Sequence, residues 1–450
     1  MPVSGITNGR FWTPAGPVLG DLRIESGRVA AVGPGACREI QDGLLDAHGR
    51  DVLPGAIDLH VHVADRQGVH PVADGFLPGS RAAVLGGVTT FLTFATQRPG
   101  ESVMDCVARM EGEAAAEGSQ ADWALHVTSI TWDEAAWADI ARLASRGLRT
   151  LKAYTTYRDA GLMVDRGRLR ELMKRAKALD LTVLVHCEDQ ATLDSVAGIR
   201  DLGSPRGHCE ARPFAAELAA VRDVIALAGA TGCSVHVVHA SHPGTVGLVV
   251  GGREGGVPVT CETCPQYLVM DSTVMDQENA HRVLCTPPFR DPEDRDMLVQ
   301  MAMSGQVDLL ASDHCPFTKA DKDSGGGDRR HTPMGLPGVG ALVPVAYEML
   351  VEPGAWTFGH LALRTAEVPA RLAGLWPRKG AIVVGADADL LVVRTDGEAR
   401  PVRATLADAY DPWESIETRL SFTAVLLRGE VVVREDRLAE GPPRGRCAWA

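Results

Sequence analysis

His60 and His62 stand one residue apart at the end of the apolar run Gly55-Ala56-Ile57-Asp58-Leu59-His60-Val61-His62. Along a β-strand, residues i and i+2 point to the same face. The two imidazoles therefore aim at one point, a geometry suited to a divalent metal. Four more residues that could serve such a centre close strand-like runs of their own: Lys152, His186, His239 and Asp313. Four histidines, a lysine and an aspartate exceed what one tetrahedral zinc needs. The set points to a two-metal hydrolase. A lysine ammonium has no lone pair to offer a metal. After reaction with carbon dioxide it becomes a carbamate, whose two anionic oxygens can bridge two cations. A buried lysine with a depressed pKa is the type that reacts this way.

Not every residue of the right type belongs to the set. His314 follows Asp313 and would point the other way along a strand, so it is expected to pack or to support. His236 reads as a buried structural histidine. Cys261 and Cys264 form C-x-x-C without a second pair, so neither a structural zinc nor a redox centre is expected there. Cys285 and Cys315 fall near the expected mouth of the site, but a thiol nucleophile would be redundant beside a metal hydroxide.

Apolar runs with strand character begin near residues 55, 88, 122, 148, 181, 234, 257 and 307, with amphipathic stretches rich in Ala, Leu and Arg between them. Eight such units suggest a (β/α)8 barrel, and a doubly wound sheet would alternate similarly. In a barrel the chemistry lies at the C-terminal strand ends, where all six candidates fall. Residues 1–54 alternate apolar and polar positions, with turn signals at Asn8-Gly9, Ser26-Gly27 and Pro34-Gly35. The texture returns at Leu390–Val393, and Ala424–Val433 reads as a hairpin about Gly429. The two ends, 1–54 and 382–450, are expected to form one small β-sandwich domain, and 55–381 the catalytic barrel. Lys319–His331 reads as a mobile loop and Gly441–Gly445 as a disordered tail.

Composition narrows the partners. A net charge of −13 with 45% hydrophobic and 23% charged residues argues against nucleic acid or an anionic membrane as partner. No signal peptide or bilayer-spanning stretch is apparent. The ten cysteines are scattered and several lie in apolar runs. They read as free thiols in a reducing cytoplasm.

Eight segments, in family order across most of the chain, resemble the amidohydrolase superfamily, within it the cyclic amidohydrolases of the hydantoinase/dihydropyrimidinase group. They are Gly55–His62, Gly86–Thr90, Leu151–Tyr157, Val185–Glu188, Val238–Ser241, Cys261–Leu268, Cys285–Arg290 and Ser312–Phe317. The resemblance implies a barrel with a composite β domain, a homo-oligomer (dimer or tetramer), and two divalent metals, usually zinc. His60, His62, Lys152 and Asp313 would hold one metal and Lys152, His186 and His239 the other, with Lys152 N6-carboxylated between them. A hydroxide between the two cations would attack the ring amide. Asp313 would carry its proton to the leaving nitrogen, and Tyr157 would donate to the developing oxyanion.

The same resemblance bears on the substrate. Dihydroorotases usually carry an arginine two residues after the second histidine, where this chain has Ala64. Allantoinases show an Asn-Glu-Pro-like stretch after that histidine, unlike Val63-Ala64-Asp65-Arg66. Hydantoinase-type enzymes bind the ring amide largely through backbone groups. Thr286 stands where the group often has serine, Met334 where an asparagine precedes Gly-x-x-Gly-Val, and Gly340 where a glutamate follows it. A neutral hydantoin or dihydropyrimidine-like ring is expected, its substituent held by residues 63–74, 96–100 and 155–161. An allantoinase, a dihydroorotase-like enzyme, a cyclic-imide hydrolase and a non-catalytic scaffold relative are the alternatives.

Overall fold

The computed structural model describes residues 2–67, 70–197 and 203–449. Eight parallel strands follow one another in chain order: β1 Ala56–Val61, β2 Val88–Thr96, β3 Asp122–Thr128, β4 Thr150–Tyr154, β5 Thr182–His186, β6 Val235–Val237, β7 Val259–Thr263 and β8 Leu309–Leu310. Each pairs with its neighbour in sequence. Just past β8, His314 N–H donates to His60 O (3.2 Å) and His62 N–H to His314 O (2.7 Å), which joins the last strand to the first. The result is a TIM barrel. All six residues of β1 are buried, as expected of a parallel strand covered on both faces.

The helices that cover the barrel begin just beyond the strand ends, and short polar side chains start them. Ser102 accepts from Asp105 N–H ahead of the helix Val103–Glu117, and Asp133 from Ala136 N–H ahead of Glu134–Arg146. Asp165 accepts from Gly167 and Arg168 N–H at the start of Arg166–Ala178. Each satisfies donors that have no partner inside the helix, so the chain leaves the barrel mouth at defined points.

The two chain ends pair into a nine-stranded mixed sheet. Its apolar core is built from alternate residues of these strands, among them Ile6, Phe11, Leu22, Ile24, Val52, Leu390, Val392, Ala424 and Leu426. Ser26-Gly27 makes the turn between Gly16–Glu25 and Arg28–Gly33, and Arg428-Gly429 the hairpin turn after Ser421–Leu427, each with positive φ at both residues. Asn8-Gly9 is no turn. It is a bulge inside the strand Gly5–Thr13, where the register shifts between Ile6 and Gly9 and Asn8 has φ +55°.

Two loop expectations need correction. Lys319–Asp323 is a short helix, started by Thr318, whose hydroxyl accepts from Asp321 N–H (3.0 Å). The C-terminal tail is ordered and runs beneath the barrel. Gly445 N–H donates to Ser119 O (2.7 Å), Trp123 N–H to Arg446 O (3.0 Å) and Ala448 N–H to Trp123 O (2.7 Å). A Cβ at Gly445 would fall 1.9 Å from Ala121 O, so only glycine passes there. Ala448 then packs with Ile57, Leu59, Leu92 and Ala124 in the lower barrel interior. Cys37, Cys106, Cys187, Cys209, Cys233, Cys261, Cys264, Cys285 and Cys315 carry free thiols. Among the described residues no helix is long and apolar enough to cross a membrane.

Candidate active site

The six residues singled out by type and spacing come together at the mouth of the barrel. His60 lies on β1 and His62 just past it. Lys152 is on β4 and His186 ends β5. His239 follows β6 by two residues and Asp313 follows β8 by three. All six line one cavity of about 300 Å³, together with Tyr157, Thr286 and Met334. His60 Nε2 and His62 Nε2 lie 3.2 and 3.6 Å from Asp313 Oδ1. The ring of His239 is 5.4 Å from that of His60 and 4.5 Å from that of His186. Tyr157 packs 5.0 Å from His186. His239, Asp313 and Tyr157 have φ of +40°, +50° and +64°. Non-glycine residues in this region are strained and concentrate at functional sites. All three of these residues line the cavity. Of the loop 63–74, expected to hold the substituent, Gly68 and Val69 lie outside the described residues.

Known proteins resemble this chain in sequence and fold. The amidohydrolase family profile matches residues 52–432. The D-hydantoinase of Streptomyces coelicolor (strain ATCC BAA-471 / A3(2) / M145) is 31% identical over 469 residues, spanning 99% of this chain and 98% of the relative. The D-phenylhydantoinase of Escherichia coli O9:H4 (strain HS) is 30% identical over 452 residues, spanning 98% and 96%. The crystal structure of dihydropyrimidinase from Brevibacillus agri NCHU1002 superposes with a TM-score of 0.94 at 29% identity, over 99% of this chain and 98% of that one. The chain belongs to the amidohydrolase family.

Within this amidohydrolase, three carboxylates orient three of the four histidines. His60 Nδ1 meets Glu262 Oε1 at 2.5 Å, His62 Nδ1 meets Asp65 Oδ2 at 2.9 Å and His186 Nε2 meets Glu188 Oε2 at 2.6 Å. Each pair occupies one ring nitrogen and leaves the other for the cavity, as metal-ligating histidines require. Glu262 also accepts from His236 Nε2 (2.9 Å) and from His239 N–H (3.2 Å). Glu188 is clamped by Arg212, whose guanidinium lies 5.2 Å from the Tyr157 ring. Sequence reasoning missed Glu262, Asp65, Glu188 and Arg212 as members of the site. A signal existed for Glu262: it is a carboxylate in the apolar end of β7, the same anomaly that marked Lys152 on β4.

The electrostatics fit a centre built for cations. Lys152 is buried, with no carboxylate at ion-pair distance among the described residues. Its Nζ faces the rings of Phe94 and Tyr154 at 5.1 and 5.3 Å. Burial lowers its pKa to about 8. Burial likewise pushes His60, His186 and His239 below the usual imidazole range, which keeps their lone pairs available. For His62, burial is outweighed by hydrogen bonds to Asp313 and Asp65, and its pKa rises to about 9. The donor atoms of His60, His62 and Asp313 all lie within 4.8 Å of one another. These donors are the right types at the right separation for divalent metals.

The residues expected to pack do so. His314 accepts from Gly338 and Val339 N–H at Nδ1 (3.0 and 3.2 Å), and its Nε2 meets Asp74 at 3.0 Å. His236 sits between Thr260 and Glu262. Thr286 is beside His208, at 3.4 Å. Met334 pairs through its backbone with the Gln67 carboxamide, N–H to Oε1 at 2.6 Å and C=O to Nε2 at 3.1 Å.

Proposed function

We propose that this amidohydrolase opens the ring amide of a neutral five- or six-membered cyclic ureide, a 5-substituted hydantoin in the first instance. One observation carries the reading. Four histidines, a lysine and an aspartate converge on one cavity with Tyr157 and Thr286 on its wall. The named hydantoinase and dihydropyrimidinase relatives support the substrate class.

His60, His62, Lys152 and Asp313 would hold one divalent ion, and Lys152, His186 and His239 a second, zinc in both places. Lys152 would serve as its carbamate. The neutral amine adds to the carbon of carbon dioxide, an N–C bond forms and a proton leaves to solvent. Burial of the amine favours the neutral form that this step needs. When bound, the metal pair supplies a hydroxide nucleophile at neutral pH and polarises the carbonyl under attack.

The chain's own groups do the rest. An Asp313 carboxylate oxygen takes the nucleophile's proton and returns it to the leaving ring nitrogen. Burial keeps the Tyr157 hydroxyl protonated and able to donate to the oxyanion. Thr286 and Met334 line the wall where the ring amide would lie.

Ala64 argues against dihydroorotate, because a buried carboxylate without a cationic partner is costly. Arg66, Arg212 and Arg329 on the cavity wall are the competing sources of such a grip. Comparing kcat/KM for a neutral hydantoin and for dihydroorotate, with metal analysis of the same preparation, tests the reading. About two metals per chain and a preference for the hydantoin are expected. A tenfold preference for dihydroorotate overturns the substrate. The free thiols of the buried cysteines, among them Cys187, Cys261, Cys264 and Cys285, support a reducing, cytoplasmic setting. Light scattering would read the expected dimer or tetramer.

A further inference from the structure

Lys322 is buried to 2% exposure in the short helix Lys319–Asp323. Its Nζ donates to two backbone carbonyls, Leu284 O and Pro333 O, each at 2.9 Å. Among the described residues no carboxylate lies at ion-pair distance from it; the nearest ring is that of Phe317, 5.7 Å away. A fully buried lysine without a counter-ion is rare and costly, so what it holds together matters.

Its two acceptors belong to the two walls of the cavity. Leu284 precedes Thr286 by two residues, and Pro333 immediately precedes Met334. Thr286, Met334 and Gly335 all line the cavity. Gly335 N–H donates to the same Leu284 O at 2.9 Å, so the walls also touch directly. The helix that carries Lys322 is itself tied down. Asp323 accepts from Arg282 (2.8 and 2.7 Å) and His281 (2.7 Å), and Asp321 meets His70 at 3.1 Å. From the opposite side, His208 Nε2 donates to Cys285 O at 2.8 Å.

We propose that Lys322 is a positioning residue for substrate: its two N–H···O bonds set the spacing between the Thr286 and Met334 walls, and so the fit of the ring amide between them. Lys322 touches neither the metal ligands nor the reacting atoms. Its effect belongs to binding that is equal in ground and transition states, which appears in KM rather than kcat. The inference rests on the cyclic-amide reading above.

Two measurements test it on the full-length, metal-loaded enzyme. In Lys322→Met the KM for the hydantoin should rise about tenfold, the scale of one or two lost hydrogen bonds, with kcat little changed. Metal content should be unchanged, and Lys322→Arg, which keeps two donors, should recover much of the KM. Independently of any substrate, hydrogen exchange at the Gly335 amide should quicken in Lys322→Met. A folded Lys322→Met enzyme with unchanged KM overturns substrate positioning, and unchanged Gly335 exchange overturns the clamp itself. If Lys322→Met does not fold, the surface variant Asp323→Asn takes its place. It loosens the same helix and should raise KM in the same direction, about two- to threefold for one weakened hydrogen-bonded pair. No change in KM or in Gly335 exchange there also overturns the proposal. Should the wild-type enzyme open no cyclic ureide, the function fails, and the exchange result still decides the clamp.

Discussion

Two lysines are buried at opposite ends of the same barrel, Lys152 at the mouth and Lys379 at the base, at 1% and 2% exposure. Lys379 Nζ meets Asp122 at 2.7 Å, Asp389 at 2.6 Å and Asp387 at 3.2 Å, and Arg428 adds a second cation to Asp122. Burial disfavours its charge, but the three carboxylates prevail and raise its pKa above the ordinary lysine value. Lys152 sits among histidines with no carboxylate at ion-pair distance among the described residues, and burial outweighs the more distant Glu262 and Asp313 and lowers its pKa. Both places gather side chains that could bind a metal: Asp122, Asp387 and Asp389 below, His60, His62 and Asp313 above. Below, the resident lysine already neutralises the acids and joins the tail-bearing sheet to β3. Above, Glu262 and Asp65 orient the rings of His60 and His62, and imidazoles are the only ion-pair partners of Asp313 among the described residues. Charge balance, more than burial or residue type, separates a structural cluster from a reactive one.

The sharpest way to break this comparison is to remove Lys152. Lys152→Ala should lose metal and activity together, and short-chain acids should partly restore both by standing in for the carbamate. Its melting temperature should not fall below that of the metal-free wild type, because an uncompensated buried amine has been taken away. Full activity in Lys152→Ala without added acid would sink the bridging role and, with it, the contrast to Lys379.

Smaller losses should follow where the metal stays and the chemistry goes. Asp313→Asn should retain much of the metal and lose about 10²–10⁴ in kcat, the range for a positioned acid–base group. A metal-replete Asp313→Asn enzyme with near-normal kcat would refute the proton shuttle. Tyr157→Phe should cost about 10²–10³ in kcat with a smaller rise in KM, as when one oxyanion donor is lost. A change confined to KM would instead make Tyr157 a binding residue.

The barrel was legible because eight buried runs begin within a few residues of their observed starts. The six polar residues that close them were anomalies in otherwise apolar segments. What held those residues in place was less legible. His60 and Glu262 are 202 residues apart and meet only because β1 and β7 face one barrel interior. No local pattern links them. The tail looked disordered because Gly441-Pro442-Pro443-Arg444-Gly445 has loop composition. Its order comes from long-range bonds to Ser119, Asp122 and Trp123, which composition does not encode. The Gly-rich stretch after Lys319 hid a helix start at Thr318 and the buried Lys322 for the same reason.

Glu262→Gln probes the next level down. It leaves every proposed ligand in place but weakens the acceptor that orients His60 Nδ1 and His236 Nε2. A 10–100-fold loss in metal affinity is expected, the usual scale for a residue that orients a ligand. Unchanged affinity, read by competition with a chelator, would mean that Glu262 serves the fold alone.

The smallest effect on catalysis should come from the other pole of the comparison. Lys379→Met strands Asp387 and Asp389 without their cation and leaves Asp122 to Arg428. Breaking a buried charge cluster by removing one partner costs about 3–5 kcal/mol, so the melting temperature should fall by several degrees. The metal site lies at the far end of the strands, so kcat per folded molecule should not change. The pH dependence follows from the sign of the shift. A lysine whose folded pKa is raised gives stability that is fully present below its unfolded pKa of about 10.4 and is lost only as pH climbs through the folded value. The gap in melting temperature between wild type and Lys379→Met should therefore stay level across neutral pH and narrow only in strong alkali. A gap that closes near pH 8, or a kcat that drops with stability, would show that the two lysines are not the opposites described above.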